Sequence, residues 1–275
     1  MSELPLVSVI TPCYNDGDYI LECIASVLGS NYPNIEHIIV DDGSDNYTKT
    51  ILSKVNYDKV RVIFKENEGV CKARNLAINE SKGKYILPLD GDDKISPNYI
   101  GDAVKLLEGD TKIRFVTSEI SQMFGLGNGQ IIVKLPLNIG MLLSRNLFTV
   151  TTMFRKEDAI KIGGFDSDFK EGLEDWSFWI SLVELGGDVD VVPGVNFYYR
   201  IKRKHRNSGF KDEERQRILY KLIWEKHKSL FGVYYADLFE TYAYKTLKAY
   251  KESSLITIIN IRIREFIKRA IGYKN

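Results

Sequence analysis

Residues 87–97, Leu-Pro-Leu-Asp-Gly-Asp-Asp-Lys-Ile-Ser-Pro, set three acids and a glycine directly behind an apolar run. Like charges this close repel unless a cation sits among them or a wet turn disperses them. Mg²⁺ and Mn²⁺ take oxygen ligands and often use one or two carboxylates, with phosphate oxygens and water completing the shell. Asp90-x-Asp92 suits that sparse demand. A calcium EF-hand does not fit, because the sixth position counted from Asp90 is Ile95 rather than glycine. A second acidic pair, Glu174-Asp175, opens an apolar stretch that carries Trp176 and Trp179. Both acids fall at an expected helix start, where negative charge is favoured.

The elements that must hold these acids follow from periodicity. Alternating strand-like and helix-like pieces over roughly the first 115 residues read as a parallel α/β pattern. Strands are expected at 6–11, 35–40, 60–64 and 84–89, and helices at 19–28, with Asp18 as N-cap, and at 69–81. Pro88 has no amide hydrogen, so it belongs at the strand's end or facing an unpaired side. A helix after Pro97 and a strand at 113–120 follow. Gly-Leu-Gly-Asn-Gly at 125–129 reads as a hairpin turn rather than a nucleotide loop, since no strand-then-helix context surrounds it. A strand and helix at 151–162, a helix at 174–186, strands within 189–200 and an amphipathic helical region from 211 complete the pattern.

In open α/β sheets ligands bind beyond the carboxyl ends of the strands, where the strand order reverses. If the order is 3-2-1-4, Tyr14 and Asp92 face one site from opposite sides. The first strand is followed by Thr-Pro-Cys-Tyr-Asn-Asp, which has neither the dinucleotide glycines nor a P-loop. Carboxylates stand where those folds offer bare amides, so phosphates would be met through a cation.

The stretches VSVITPCYND, IIVDDGSDNYT, NEGVCKARNLAINESKGKYILPLDGDD and EDWSFW together resemble the inverting glycosyltransferases of family 2, which have the GT-A fold. The motifs occur in the family's order from residue 6 to about 206. The resemblance implies an α/β fold, a mixed, mostly parallel Rossmann-like sheet flanked by helices. It implies a GT-A domain at 1–210, with a nucleotide-binding half at 1–115 and an acceptor half at 116–210, then a helical extension at 211–275. By position, Asp42 would bind the nucleotide base, and Pro12 and Tyr14 would line its pocket. Arg74, or secondarily Lys72, would hold the nucleotide. Asp90 would lie near the ribose, with Gly91 beside it, and Asp92 would reach a Mn²⁺ or Mg²⁺ ion. Asp175, next to Glu174, would be the base that deprotonates the acceptor hydroxyl in a single displacement. Residues 200–206 hold six basic or potentially basic side chains. There the resemblance favours Arg200 and His205 as parts of a loop over the diphosphate, with His205 alternatively near the metal. Trp176 could stack on an acceptor sugar or pack in the core; Trp179 is expected in the core. UDP is the expected nucleotide, and a surface polysaccharide or glycoprotein glycan the expected acceptor, lipid-linked or protein-linked.

Composition sets the outer limits. A net charge of +1 gives no global argument for nucleic acid, and 44% hydrophobic residues allow a core. Cys13, Cys23 and Cys71 form no metal-binding pattern and read as reduced thiols. His37 and His227 read as structural. No signal peptide or membrane-spanning run is expected, so the reading is a cytoplasmic protein. Residues 255–275 alternate apolar and basic side chains. As a helix they could lie peripherally on the inner face of an anionic membrane, or pack on the domain or on a second copy as a homodimer. The rival functions are a sugar nucleotidyltransferase, which usually carries a glycine-rich basic loop after the first strand, and a nucleotide- or glycan-binding module without chemistry.

Overall fold

A computed structural model describes residues 4–124, 127–132, 139–201 and 213–252, without the side chains of 124, 127–132 and 237–252. Four strands open the sheet: β1 Val7–Cys13, β2 Ile35–Asp42, β3 Val60–Lys65 and β4 Tyr85–Pro88. They lie parallel in the order β3-β2-β1-β4, so the reversal expected between the first and fourth strands is present. Helices α1 Ile20–Leu28, α2 Asn46–Leu52 and α3 Val70–Glu80 connect them. β1 and β2 are covered on both faces, which is why they read as near-continuous apolar runs. Their polar residues are paired: Ser8 Oγ donates to Glu36 at 2.6 Å, and Thr11 Oγ1 bonds His37 Nε2 at 2.8 Å. Burial pushes the His37 pKa down to about 3, so this ring is a neutral structural group.

Beyond β4 the sheet turns mixed. A short strand β5 Lys94–Ile95, a helix α4 Tyr99–Gly109 and a strand β6 Ile113–Phe124 follow. β7 Gly127–Ile132 folds back on β6 as the expected hairpin, with residues 125–126 outside the described residues. Then come α5 Ile139–Ser144, β8 Met153–Arg155, α6 Lys156–Lys161, a 3₁₀ turn Ser167–Phe169, α7 Glu174–Glu184, β9 Asp188–Ile201 and α8 Glu213–Glu252. The order continues β4-β8-β6-β9-β5, with β8 antiparallel to both neighbours. β9 is one long strand that shifts register beside Pro193 and Gly194, not several strands. Pro88 ends β4, two residues past the last pair that β4 makes with β8, so its missing amide hydrogen costs no ladder bond.

Two local expectations change. Asp18 does not cap α1: the amides of Tyr19 and Ile20 bond the Asp16 carbonyl, and the Asp18 carboxylate accepts from Tyr47 Oη at 3.1 Å. α2 is an added helix, capped by Asp45, whose carboxylate accepts from Thr48 N at 2.8 Å.

The chain forms two compact units, Met1–His227 and Lys228–Asn275. The helical dihedrals of α8 break at His227, the last residue of the first unit. The opening turns of α8 belong to that unit, where Arg215 pairs with Glu171, Lys226 with Asp166 and His227 with Glu184. Residues 253–275, with the basic tail, lie outside the described residues. No helix among the described residues is long and apolar enough to cross a membrane. The three cysteines are buried free thiols.

Candidate active site

The nucleotide end of the sheet is built from three strand ends. After β1 the chain turns at Asn15 (φ 59°), whose amide donates to Ser44 Oγ at 3.0 Å. After β2, Gly43 adopts φ +74°, and a Cβ there would stand 2.7 Å from Asn67 N. Only glycine lets this turn lie against the backbone at Asn67. That approach delivers Asp42, which is buried. Its Oδ1 accepts from Lys65 Nζ at 2.7 Å and Glu68 N at 3.0 Å, and its Oδ2 from Gly69 N at 2.8 Å. Tyr14 stands exposed at the same rim, while Pro12 is buried in β1 opposite Val40. Lys72 lies at the surface, paired with Glu68 at 2.7 Å.

The third strand end is the Asp90–Asp93 turn. Asp93 N closes it on the Asp90 carbonyl at 3.0 Å. Gly91 is packed so tightly that a Cβ would meet Asp16 Oδ2 at 3.0 Å. Asp93 is buried and accepts the Arg200 amide hydrogen at 2.8 Å. Arg200 Nε donates to the Asp92 carbonyl at 2.8 Å, Arg200 Nη2 to Glu22 Oε2 at 3.0 Å, and the guanidinium covers the Tyr19 ring at 4.7 Å. Arg200 is only 8% exposed. Through these contacts Arg200 braces the acidic turn from β9 and ties it to Glu22 of α1. His205 lies outside the described residues.

Arg74 joins this turn to the second acidic motif. Its side chain is buried on α3, where Ala73 and Ala77 also face inward. Nη2 donates to Asp90 Oδ1 at 2.8 Å and Nη1 to Glu174 Oε1 at 3.0 Å, and the guanidinium lies 5.3 Å from the centre of the Phe165 ring. The two carboxylates raise its pKa against the opposing effect of burial, so it remains a cation. Here it binds carboxylates; a nucleotide contact would have to be made through Asp90.

Leu173, at φ 65°, is a left-handed residue just before α7, and it aims the first helical turn. Glu174 is buried against Arg74. Asp175 is half-buried; Oδ1 accepts its neighbour's amide hydrogen, Trp176 N, at 2.8 Å, and Oδ2 accepts from Asn146 Nδ2 at 2.9 Å. Burial, then the Glu174 charge, raise the Asp175 pKa to about 6, opposed by Arg74 and the two hydrogen bonds. Tyr199 on β9 is pushed up to about 12 by burial and then by the charges of Asp93, Asp90, Asp92 and Asp175. Trp176 is a correction: it is 1% exposed, its Nε1 donates to the Leu142 carbonyl at 2.6 Å, and no ring face is open to a sugar. Trp179 is core, packed on Phe115, Phe148, Phe154 and Phe178.

The donor set suits a hard divalent cation. Asp92 is half-buried at the rim, and Asp90 beside it keeps 35% of its side chain exposed. Among the described residues no three potential ligands converge, so an ion there would take its remaining ligands from phosphate and water. Asn146, Asp93 and Tyr199 are the site residues that the sequence reading did not assign.

A curled mixed sheet with acidic strand ends and a second carboxylate motif on a facing helix defines the GT-A class of glycosyltransferases. Residues 8–160 match the profile described as "Glycosyl transferase family 2", and residues 135–206 match "N-terminal domain of galactosyltransferase". The chain belongs to glycosyl transferase family 2. It is 42% identical over 103 residues to "Glycosyltransferase GlyG" of Streptococcus pneumoniae, a match covering 36% of this chain and 34% of the relative. It is 45% identical over 93 residues to "Putative teichuronic acid biosynthesis glycosyltransferase TuaG" of Bacillus subtilis, covering 33% and 37%. The matched stretch thus spans about a third of these curated relatives. The crystal structure of S. aureus TarS 1-349 in complex with UDP-GlcNAc is similar in fold. It has TM-score 0.63 and 24% identity, covering 74% of this chain and 61% of that one.

Proposed function

We propose that the protein is an inverting, metal-assisted glycosyltransferase that moves a sugar from a UDP-type nucleotide donor to a glycan hydroxyl during surface polysaccharide assembly. The observation that carries this reading is Arg74, whose one guanidinium binds both Asp90 and Glu174. The acidic turn and the neighbour of Asp175 therefore lie within the reach of a single side chain. Relatives named for teichuronic acid biosynthesis and hyaluronan synthesis, and a fold neighbour that binds UDP-GlcNAc, support the substrate class.

Asp42 and the Tyr14 rim take the nucleotide, and Asp90 takes the ribose. Asp92 would hold a Mn²⁺ or Mg²⁺ ion, which would supply positive charge for the departing diphosphate. Arg200 and Asp93 keep the turn that carries Asp92 rigid. Asp175 accepts the acceptor's hydroxyl proton as that oxygen bonds the anomeric carbon and the carbon–phosphate oxygen bond breaks. The bond forms on the face opposite the leaving group, so configuration inverts and no covalent nucleophile is used. Glu174 pairs with Arg74, beside Asp175. The domain division at 210/211 and any membrane contact by 255–275 remain parts of this proposal, with a lipid-linked acceptor as the reason for the latter.

The test is a panel of nucleotide sugars with Mn²⁺, watched for free nucleoside diphosphate. Its release is expected with one or a few donors. Pyrophosphate chemistry would point to a nucleotidyltransferase, and no turnover with any donor to a binding module.

A further inference from the structure

Helix α5 and the loop that follows it grip the first turn of α7 at two adjacent residues. The Leu142 carbonyl accepts from Trp176 Nε1 at 2.6 Å, and Asn146 Nδ2 donates to Asp175 Oδ2 at 2.9 Å. The direction of the Asn146 amide is decided by its surroundings. Its Oδ1 accepts from Phe148 N at 3.1 Å, so only the amino group can face Asp175. With Trp176 N on Oδ1, each Asp175 oxygen holds one hydrogen bond, which fixes the plane of the carboxylate.

We propose that Asn146 is the positioning residue of Asp175: it fixes the carboxylate's orientation and holds it in the charged, proton-accepting form. This rests on Asp175 being the base. The other charged groups around Asp175 pull in known directions. Glu174 on the same helix disfavours the carboxylate, Arg74 on α3 favours it, and Asp175 in turn acts on Tyr199 of β9. Asn146 differs from these in touching the carboxylate directly without carrying charge. A donor that cannot become an acceptor on this side favours the ionised partner at every pH where the protein is folded.

Carbon-13 NMR titration of the aspartate carboxyls, with Asp175 assigned by the loss of its resonance in Asp175→Asn, tests this without any substrate. The midpoint is expected to rise by about one pH unit or more in Asn146→Ala. It should rise further in Asn146→Asp, which is nearly isosteric and sets a second carboxylate 2.9 Å from the first. The acid limb of the rate profile, read as nucleoside diphosphate release, should move with it. An unmoved midpoint in both variants, or a loss of rate equal at all pH values, would overturn the assignment. Should Asp175→Asn keep the full rate while the midpoint still moves with Asn146, the failure belongs to the base assignment and not to the Asn146 contact.

Discussion

Asp90 and Glu174 sit at opposite ends of one buried guanidinium, that of Arg74, at 2.8 and 3.0 Å. The pairing fastens the end of β4 to the start of α7, and so fastens the acidic turn to the helix that carries Asp175. Removing the cation leaves Glu174 buried without its counter-charge. Arg74→Ala is expected to destabilise the protein by about 3–5 kcal/mol. Arg74→Lys should be intermediate, since one ammonium cannot form the two-ended fork. Thermal or urea unfolding reads this directly; a variant as stable as the wild type would show that the bridge is not what joins the motifs.

Arg200→Lys tests the frame of the acidic turn. The substitution removes the Nε bond to the Asp92 carbonyl and the stacking on Tyr19. Apparent Mn²⁺ affinity in turnover is expected to fall about 10-fold or more, with the fold retained. An unchanged metal dependence would mean that the turn needs no brace from β9.

Much of this site was legible in the sequence, and the boundary is physical. Asp42, Asp90 and Asp92 stand at strand ends, where the alternation of elements predicts a rim, while Asp175 is joined to them by the family resemblance. The order β3-β2-β1-β4 follows from alternating elements and short connections. What spacing could not reach were the partners. Arg200 reads as part of a basic run, yet its amide bonds Asp93 across 107 residues and its guanidinium bonds the Asp92 carbonyl and Glu22 of α1. Asn146 stands in a stretch with no periodic signal. Trp176 offered both a stacking and a core reading, and the Leu142 carbonyl decided for the core. The only forewarning for Asp93 was the crowding of three acids, one of which turned inward to hold the chain.

Asp42→Ala should weaken the donor site more than the chemistry. Three hydrogen bonds hold its carboxylate at the end of β2. Losing a charge-assisted contact to the nucleotide is expected to raise the donor KM roughly 10-fold or more, with a smaller change in kcat. A pure kcat effect would move Asp42 out of the donor pocket.

The pH dependence follows from Asp175. Its pKa is raised from the usual 3.8 to about 6, so the base is charged above about pH 6 and the rate should fall as pH drops below that. The stability effect has the opposite direction. Between about pH 4 and 6 the folded state holds a proton that the unfolded chain has released. Stability is therefore lost as pH rises through that window, and the full penalty stands above it. Asp175→Asn lacks this titration, so its Tm relative to wild type should be higher at pH 7 than at pH 4. A pH-independent difference would show that Asp175 is not perturbed.

Leu173→Gly addresses the left-handed residue before α7. Relief of the unfavourable φ of 65° is worth about 1 kcal/mol, against the greater freedom that glycine gives the unfolded chain. Little net change in Tm is expected, whereas Leu173→Val should lower it clearly. Equal Tm losses for both would place the role of Leu173 in its side chain.

The claim that Asp92 and Asp175 serve one bound donor is tested most directly by pairing calorimetric titration of UDP in Mn²⁺ with turnover on the donor that the panel identifies. Asp175→Asn should bind UDP as the wild type does while turnover falls by about 10²-fold or more. Asp92→Asn should lose the Mn²⁺ enhancement of both binding and turnover. An Asp175→Asn protein that turns over at the full wild-type rate would contradict the claim.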